Sequence, residues 1–283
     1  MDDGEPIPVS AVILTLNEAV NIHACLKAMR RVDDLIIVDS GSSDDTLALA
    51  LNARPDVRIY THPFQDFGDQ RNWALDHCEP RHPWVLFVDA DEFCTTELLN
   101  EISTFVDLPG EAVGGFIAGR NYFLGRWLRY STLYPSYQLR LLRRGEVRYR
   151  KAGHGQQEVT DGPLHYLSAG WRHEGFSQGV AHWISRHNRY STEETSNMLA
   201  LRSTSLRFAD LLDRDPVTRR RALKILGAKV PGRPLFRFLY VYLLRGGFRD
   251  GVPGLIYCSL ILAHAIHISA KLHEKRYLNI PHG

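Results

Sequence analysis

The sequence is short of several things, and each shortage removes a class of protein. Its four cysteines, Cys25, Cys78, Cys94 and Cys258, stand in no C-x-x-C spacing, which excludes the usual zinc framework and a disulfide scaffold and fits a reducing compartment. Charge of one sign is lacking too. The 34 Lys and Arg against 32 Asp and Glu leave +2, so no bulk field argues for nucleic acid. The opening residues Met1-Asp2-Asp3-Gly4-Glu5-Pro6 have neither the basic n-region nor the apolar h-region of a secretory leader; none is expected, and the cytoplasm is the expected location. Thr15-Leu16-Asn17-Glu18-Ala19, after the first apolar run, contains no glycine. A dinucleotide-dependent oxidoreductase needs G-x-G-x-x-G there, and a sugar nucleotidyltransferase needs a glycine-rich phosphate loop. The 13 histidines form no H-E-x-x-H, so a zinc hydrolase is unsupported. There is no internal repeat and no low-complexity tract.

What the 283 residues do contain is a first half that alternates between two periodicities. Short β-rich runs at Val9 to Leu16, Leu35 to Val38, Val57 to Tyr60 and Trp84 to Val88 are separated by segments with helical spacing, Glu18 to Arg30, a stretch capped by Ser43-Asp44-Asp45, and Asp69 to His77. Strands alternating with helices predict right-handed crossovers and a largely parallel sheet. In the second half Gly114 to Gly119, Tyr137 to Leu142 and Val147 to Tyr149 read as strands, and Ser177 to Leu212 as one or two helices. On the strand Tyr137 to Leu142, Gln138 and Arg140 would share one face and Leu139 and Leu141 the other.

Chemistry concentrates at the predicted strand ends. Asp89-Ala90-Asp91-Glu92 follows the last of the four runs, and two carboxylates in that spacing can hold a hard divalent ion while leaving positions for a diphosphate. The same residues also suit a plain acidic turn that caps a helix starting near Thr95. Thr15-Leu16-Asn17-Glu18 closes the first strand, Asp39-Ser40-Gly41-Ser42-Ser43-Asp44-Asp45-Thr46 the second, and Gly68-Asp69-Gln70-Arg71-Asn72 opens a helix with a cation. In an open α/β sheet ligands bind at this edge.

The order of these four motifs resembles family 2 glycosyltransferases of the GT-A fold, and in particular the bacterial branch with lipopolysaccharide-core and exopolysaccharide enzymes. The resemblance is specific over residues 9 to 95 and looser to about residue 190. It implies a Rossmann-like α/β domain with a mostly parallel central sheet and helices on both faces. A nucleotide-sugar half would occupy residues 1–110, an acceptor half 111–176 and a helical, membrane-associating region 177–283. It implies an inverting transfer from a nucleoside-diphosphate sugar, with uridine diphosphate the commonest carrier, to a lipid-linked or polysaccharide acceptor, with Mg or Mn as cofactor. On that pattern Thr15, Asn17, Glu18, Asp39, Ser42, Arg71 and Asp89 bind the nucleotide sugar, and Asp91 with Asp89 binds the metal. Gln138, Arg140 and His154 would lie on the acceptor or donor-sugar side. An inverting displacement also needs a base from beyond the acidic motif. Glu158 in Gly153-His154-Gly155-Gln156-Gln157-Glu158 is the choice, because related sequences carry a His-Glu pair near this point, and Asp161 is the reserve. The rival is a catalytically silent nucleotide-sugar-binding or membrane scaffold on the same fold.

The segment Arg202 to Arg249 is basic, and Val252 to Ala270 after it is apolar, interrupted by Pro253, Gly254, Ser259, His264 and His267. Such a pair suits an interfacial anchor at the inner face of the cytoplasmic membrane better than a span. A buried helical pair with a solvated arginine face is equally consistent with it.

Overall fold

Alternate residues of the first strand, β1 (Ile7–Thr15), face two different cores. Ile7, Val9, Ala11 and Ile13 pack into one, and Val12 and Leu14 into the other. A strand apolar on both faces belongs inside a sheet covered on both sides. A computed structural model describes residues 5–107, 110–152, 155–212, 215–230 and 232–278. After β1 come α1 (Ile22–Ala28), β2 (Val32–Asp39), α2 (Thr46–Ala53), β3 (Arg58–Thr61), α3 (Phe67–His77), β4 (Trp84–Asp89), β5 (Glu92–Phe93) and α4 (Thr96–Asp107). Then follow β6 (Gly114–Phe123), β7 (Arg126–Trp127), β8 (Tyr137–Arg143), β9 (Arg148–Ala152), β10 (Gly155–Val159) and β11 (Leu164–His173). Four helices complete the chain: α5 (Gly179–Ser203), α6 (Pro216–Lys229), α7 (Arg233–Leu239) and α8 (Gly251–Leu278).

The central sheet runs β3-β2-β1-β4-β8-β6-β11-β5, with β7 on β6. β3, β2, β1 and β4 are mutually parallel, β8 runs against both β4 and β6, and β11 is parallel to β6. This is an α/β fold with a mixed, mostly parallel sheet. The two reversals put β6 and β11 back in the direction of β1, so their carboxyl ends lie at the same edge as those of β1, β2 and β4. One core gathers Ile22 and Leu26 of α1 with Leu98 and Ile102 of α4, and the other takes Ala74 and Leu75 of α3 with Tyr149. The helix α3 starts where Asp66 accepts hydrogen bonds from the Gly68 and Asp69 amides, both at 2.9 Å, a cap worth about 1 kcal/mol.

Two local readings of the sequence are corrected. Leu139 and Leu141 do not share a face: Phe116 pairs with Leu139 while Gly115 pairs with Leu141, so Arg140 is the extra residue of a bulge. Leu139 therefore faces one core and Leu141 the other, and Arg140 is turned inward. The strand β11 was not expected, because Leu164–His173 does not alternate and its register shifts between Tyr166 and Gly170. Gly170 is required there, since a Cβ would come 2.0 Å from the Ala118 carbonyl oxygen.

The chain divides into two compact units. The first runs to Arg129 and resumes over Leu133–Gln178; the second joins Tyr130–Thr132 to the helices from Gly179 onward. Within the second unit Asp250 accepts hydrogen bonds from the Tyr130 and Ser131 amides and the Ser131 hydroxyl at 2.9, 2.7 and 2.8 Å. Pro253 and Gly254 fall in the first turn of α8, where proline is tolerated, and the helix is 28 residues long in all.

Candidate active site

The turn after β1 and the turn after β2 hold each other. Asn17, with φ +55, donates its amide to Ser42 Oγ at 2.8 Å, and its side-chain oxygen accepts from the Ser43 amide at 2.8 Å. Asp39 Oδ2 accepts from the amides of Gly41 and Ser42 at 2.9 and 2.8 Å, and its Oδ1 accepts from the Ser42 hydroxyl. Gly41 sits at φ +97, a conformation that favours glycine. Glu18 lies before α1 rather than in it, and its amide donates to Thr46 Oγ1 at 2.8 Å. The Glu18 carboxylate accepts from Asn21 and Gln178. Thr15 Oγ1 is buried without a hydrogen-bond partner among the described residues. Thr15, Asn17, Glu18, Asp39 and Ser42 are thereby brought together at one edge.

The acidic turn after β4 is gripped by two arginines. Arg140 donates to Asp89 Oδ2 at 2.8 Å and Oδ1 at 3.3 Å and to Glu92 Oε1 at 2.7 Å, and its guanidinium lies over the Trp171 ring. Arg71 donates to Asp89 Oδ1 at 3.1 Å, to Gln156 Oε1 at 2.9 Å and to the Phe67 carbonyl at 3.3 Å. Both arginine side chains are only 2% exposed, against 31% for Asp89. Both guanidiniums therefore meet the Asp89 carboxylate below the surface of the site, Arg71 from α3 and Arg140 from β8. Glu92 completes the frame by accepting the Asp89 amide at 3.0 Å.

Burial opposes the ionisation of Asp89, but Arg140 and Arg71 outweigh it and hold its carboxyl well below the usual carboxylate range. Burial lifts Glu92 to about 7 despite Arg140, with Asp89 adding to the rise. Asp91 has a different partner. Its Oδ2 lies 3.3 Å from His173 Nε2, and His173 Nδ1 lies 2.7 Å from Asn121 Oδ1. Burial disfavours a charged imidazole, yet Asp91 overrides it and raises His173 to about 9.

His173, 82 residues from Asp91 in the chain, is the neighbour of the acidic turn that the sequence reading missed. It arrives because β11 pairs with both β6 and β5, setting His173 opposite Asn121 and Glu92. The signal available was the His173-Glu174 pair itself, whose Glu174 amide donates to the Asp91 carbonyl at 2.9 Å. Among the described residues no group of three or more His, Cys, Asp and Glu side chains is gathered for a metal. The Asp91 carboxylate and the His173 imidazole, its far nitrogen fixed by Asn121, would fit a divalent ion that displaces the His173 proton and takes its other ligands from a diphosphate and water.

Of the remaining candidates, three lie on or just after β8 and β10. Glu158 is on β10, which pairs with β9 in a two-stranded sheet among the described residues, and shares a face with Gln156, the acceptor for Arg71. Asp161 is exposed in the turn after β10, Gln138 is exposed on β8, and His154 falls outside the described residues.

Acidic and basic groups and polar loops clustered at the carboxyl edge of an α/β sheet make a ligand-binding site of the kind on which α/β transferases are built. The profile of glycosyl transferase family 2 matches residues 10–169, and the chain belongs to that family, whose members invert the anomeric configuration. It is similar to the lipopolysaccharide core biosynthesis glycosyltransferase LpsC of Rhizobium meliloti (strain 1021), with 26% identity over 283 residues covering 96% of this chain and 94% of that protein. An uncharacterized glycosyltransferase of Rickettsia felis is 36% identical over 95 residues, 33% of this chain and 32% of that one. Among solved structures, the mannosyltransferase PcManGT from Pyrobaculum calidifontis, in complex with GDP-Man and Mn2+, matches with a TM-score of 0.48 and 15% identity over 96% of this chain and 88% of that one.

Proposed function

We propose that this family 2 enzyme transfers a sugar from a nucleoside-diphosphate sugar, in the first place a uridine diphosphate sugar, to a hydroxyl of a lipid-linked saccharide. The process served is assembly of a bacterial lipopolysaccharide core or exopolysaccharide at the inner face of the cytoplasmic membrane. The carrying observation is the meeting of Asp89, Asp91, Glu92 and His173 beside the Thr15 and Asp39 turns, at the edge where an α/β sheet takes its ligands.

In this reading the turns from Thr15 to Glu18 and Asp39 to Ser42 take the base and ribose, and the buried, unpartnered Thr15 hydroxyl is a donor a nucleotide can satisfy. Asp89 serves the ribose side, held in one rotamer by Arg140 and Arg71. Asp91 and His173 hold the divalent ion, Mg or Mn, which when bound neutralises charge on the diphosphate leaving group. Asn121 fixes the His173 ring so that Nε2 faces Asp91. Glu158 takes the acceptor hydroxyl proton on a carboxylate oxygen as that hydroxyl oxygen bonds the anomeric carbon and the diphosphate departs. Its support is the β10 face that it shares with Gln156, next to the Arg71 grip. Gln138 and His154 remain sugar-side candidates, and Asp161 the reserve base.

A panel of nucleotide sugars with added Mn²⁺ tests this, read as donor hydrolysis and as transfer. Asp91→Ala is expected to abolish metal-dependent turnover with the fold intact. Glu158→Gln is expected to lower transfer by about 10²–10⁴-fold while nucleotide binding persists. Full activity of the Asp91 variant overturns the mechanism, and full activity of the Glu158 variant moves the base elsewhere. Nucleotide binding by the wild type without turnover of any donor would favour the scaffold.

A further inference from the structure

Exposed apolar side chains of the second unit gather where α7 continues through a π turn (Tyr240–Leu244) and a 3₁₀ turn (Gly247–Asp250) into α8. Phe236 is 62% exposed, Leu244 81% and Val252 68%, and Leu235, Leu243 and Phe248 are more than half exposed beside them. Along α8 the exposed Val252, Leu255 and Ile266 fall on one stripe of the helix. A concentrated apolar surface of this kind marks an interaction site rather than ordinary surface.

Charge says what covers it. Residues 233–255 contain four arginines, Arg233, Arg237, Arg245 and Arg249, and one acid, Asp250. That acid is 2% exposed, and its carboxylate is spent on Tyr130 and Ser131, so the outer face of the segment presents cations and no carboxylate. Cations around an apolar wedge complement an anionic lipid surface. Docking of the same face onto a second copy would bring like charges together.

Length alone would let α8 cross a membrane, since the helix over Gly247–Lys275 is long and apolar enough. Its far half is committed elsewhere. Ile268 and Leu272 share a small core with Met198 and Ala228. Lys271 Nζ donates to the Asn188 carbonyl and Oδ1, Ser191 Oγ and Thr192 Oγ1 at 2.7, 2.8, 2.7 and 2.8 Å, and Lys275 Nζ donates to Ser196 Oγ at 3.0 Å. These partners lie on α5, which also carries Arg186, Arg189, Glu193 and Glu194. Crossing would break the Lys271 contacts or draw those charges into hydrocarbon, and both are costly. We propose that the segment from Arg233 to Leu255 docks on an anionic bilayer as an in-plane wedge, with α8 lying along the surface and not through it. This rests on the membrane part of the function proposed above.

The test uses the full chain with vesicles of phosphatidylethanolamine and phosphatidylglycerol, and vesicles of phosphatidylcholine alone. The native cysteines are buried, so Leu244→Cys takes an environment-sensitive dye selectively. The wild type is expected to sediment with anionic vesicles only, to release with salt and alkaline carbonate, and to show a blue shift at position 244. The double variant Leu243→Glu, Leu244→Glu is expected to lose vesicle binding by about tenfold or more with an unchanged melting curve and unchanged donor hydrolysis. Vesicle binding by that variant, equal binding of the wild type to neutral vesicles, or a wild-type dimer in vesicle-free solution that the variant abolishes would overturn the proposal. Resistance of the wild type to carbonate would show a spanning helix and overturn the in-plane geometry. Loss of donor hydrolysis in the wild type would fault the catalytic reading without touching the vesicle result.

Discussion

Replacing Arg140 by methionine keeps the apolar stem over Trp171 and removes the cation shared by Asp89 and Glu92. Removing one partner of a buried ion pair costs about 3–5 kcal/mol, because the other charge is left uncompensated. Two features pull the expectation to the lower end. Asp89 is 31% exposed and keeps Arg71, so water and the second guanidinium screen part of the loss. Glu92, already raised to about 7, can take up a proton and limit its own penalty. The result is about 3 kcal/mol, a large part of the 5–15 kcal/mol typical of a domain, and a fall in Tm of about 6–12 °C. Arg140→Lys keeps the charge but cannot fork between two carboxylates, so about half of the loss is expected to remain. Adding Glu92→Gln to Arg140→Met removes one of the stranded acids and should restore about 1 kcal/mol, a coupling that a double-mutant cycle reads directly. Urea and thermal unfolding followed by circular dichroism supply the stabilities, and Mn²⁺-dependent donor hydrolysis reports the site. A methionine variant that melts within about 2 °C of the wild type would refute the energetic argument. One that is destabilised yet fully active would refute the claim that Arg140 positions the acidic turn.

Asn121→Ala should weaken Mn²⁺ binding by about 10–100-fold through loss of the hydrogen bond that orients His173, with little change in stability. Titration calorimetry with the nucleoside diphosphate present measures this, and unchanged affinity would separate His173 from the metal. Asp34 is buried among Ser10 Oγ, the Arg81 amide and two contacts from Arg58 at 2.9 and 2.8 Å. Burial opposes its ionisation, but those donors prevail and hold its carboxyl below the usual range. Its stabilisation is therefore present above the unfolded value of about 4 and lost as pH falls through the lower folded value. Asp34→Asn should cost about 3 kcal/mol in urea unfolding at pH 7, and the gap to the wild type should close toward pH 3. A gap independent of pH would show that the loss is one of shape rather than charge.

Local physics made much of the first unit legible in the sequence. The alternation of strand and helix periods through Val88 required no tertiary information, since both periods are written into neighbouring residues. The strand ends that carry Asn17, Asp39 and Asp89 followed from those runs, and the order of motifs pointed to the family that the profile match established. Three decisions depended on contacts between distant segments. His173 reaches Asp91 only through the register of β11 against β6 and β5, which the broken alternation of Leu164–His173 conceals. Arg140 turns inward because a bulge on β8 absorbs one residue, which brings its guanidinium onto Asp89 and Glu92. The apolar stretch after Val252 could span, lie on or avoid a membrane by composition alone. What bears on that choice is the packing of its second half on the polar α5, where Lys271 and Lys275 find their partners. Sequence determines what a segment is able to do in isolation, and the tertiary structure decides which neighbour's charge or apolar face it meets.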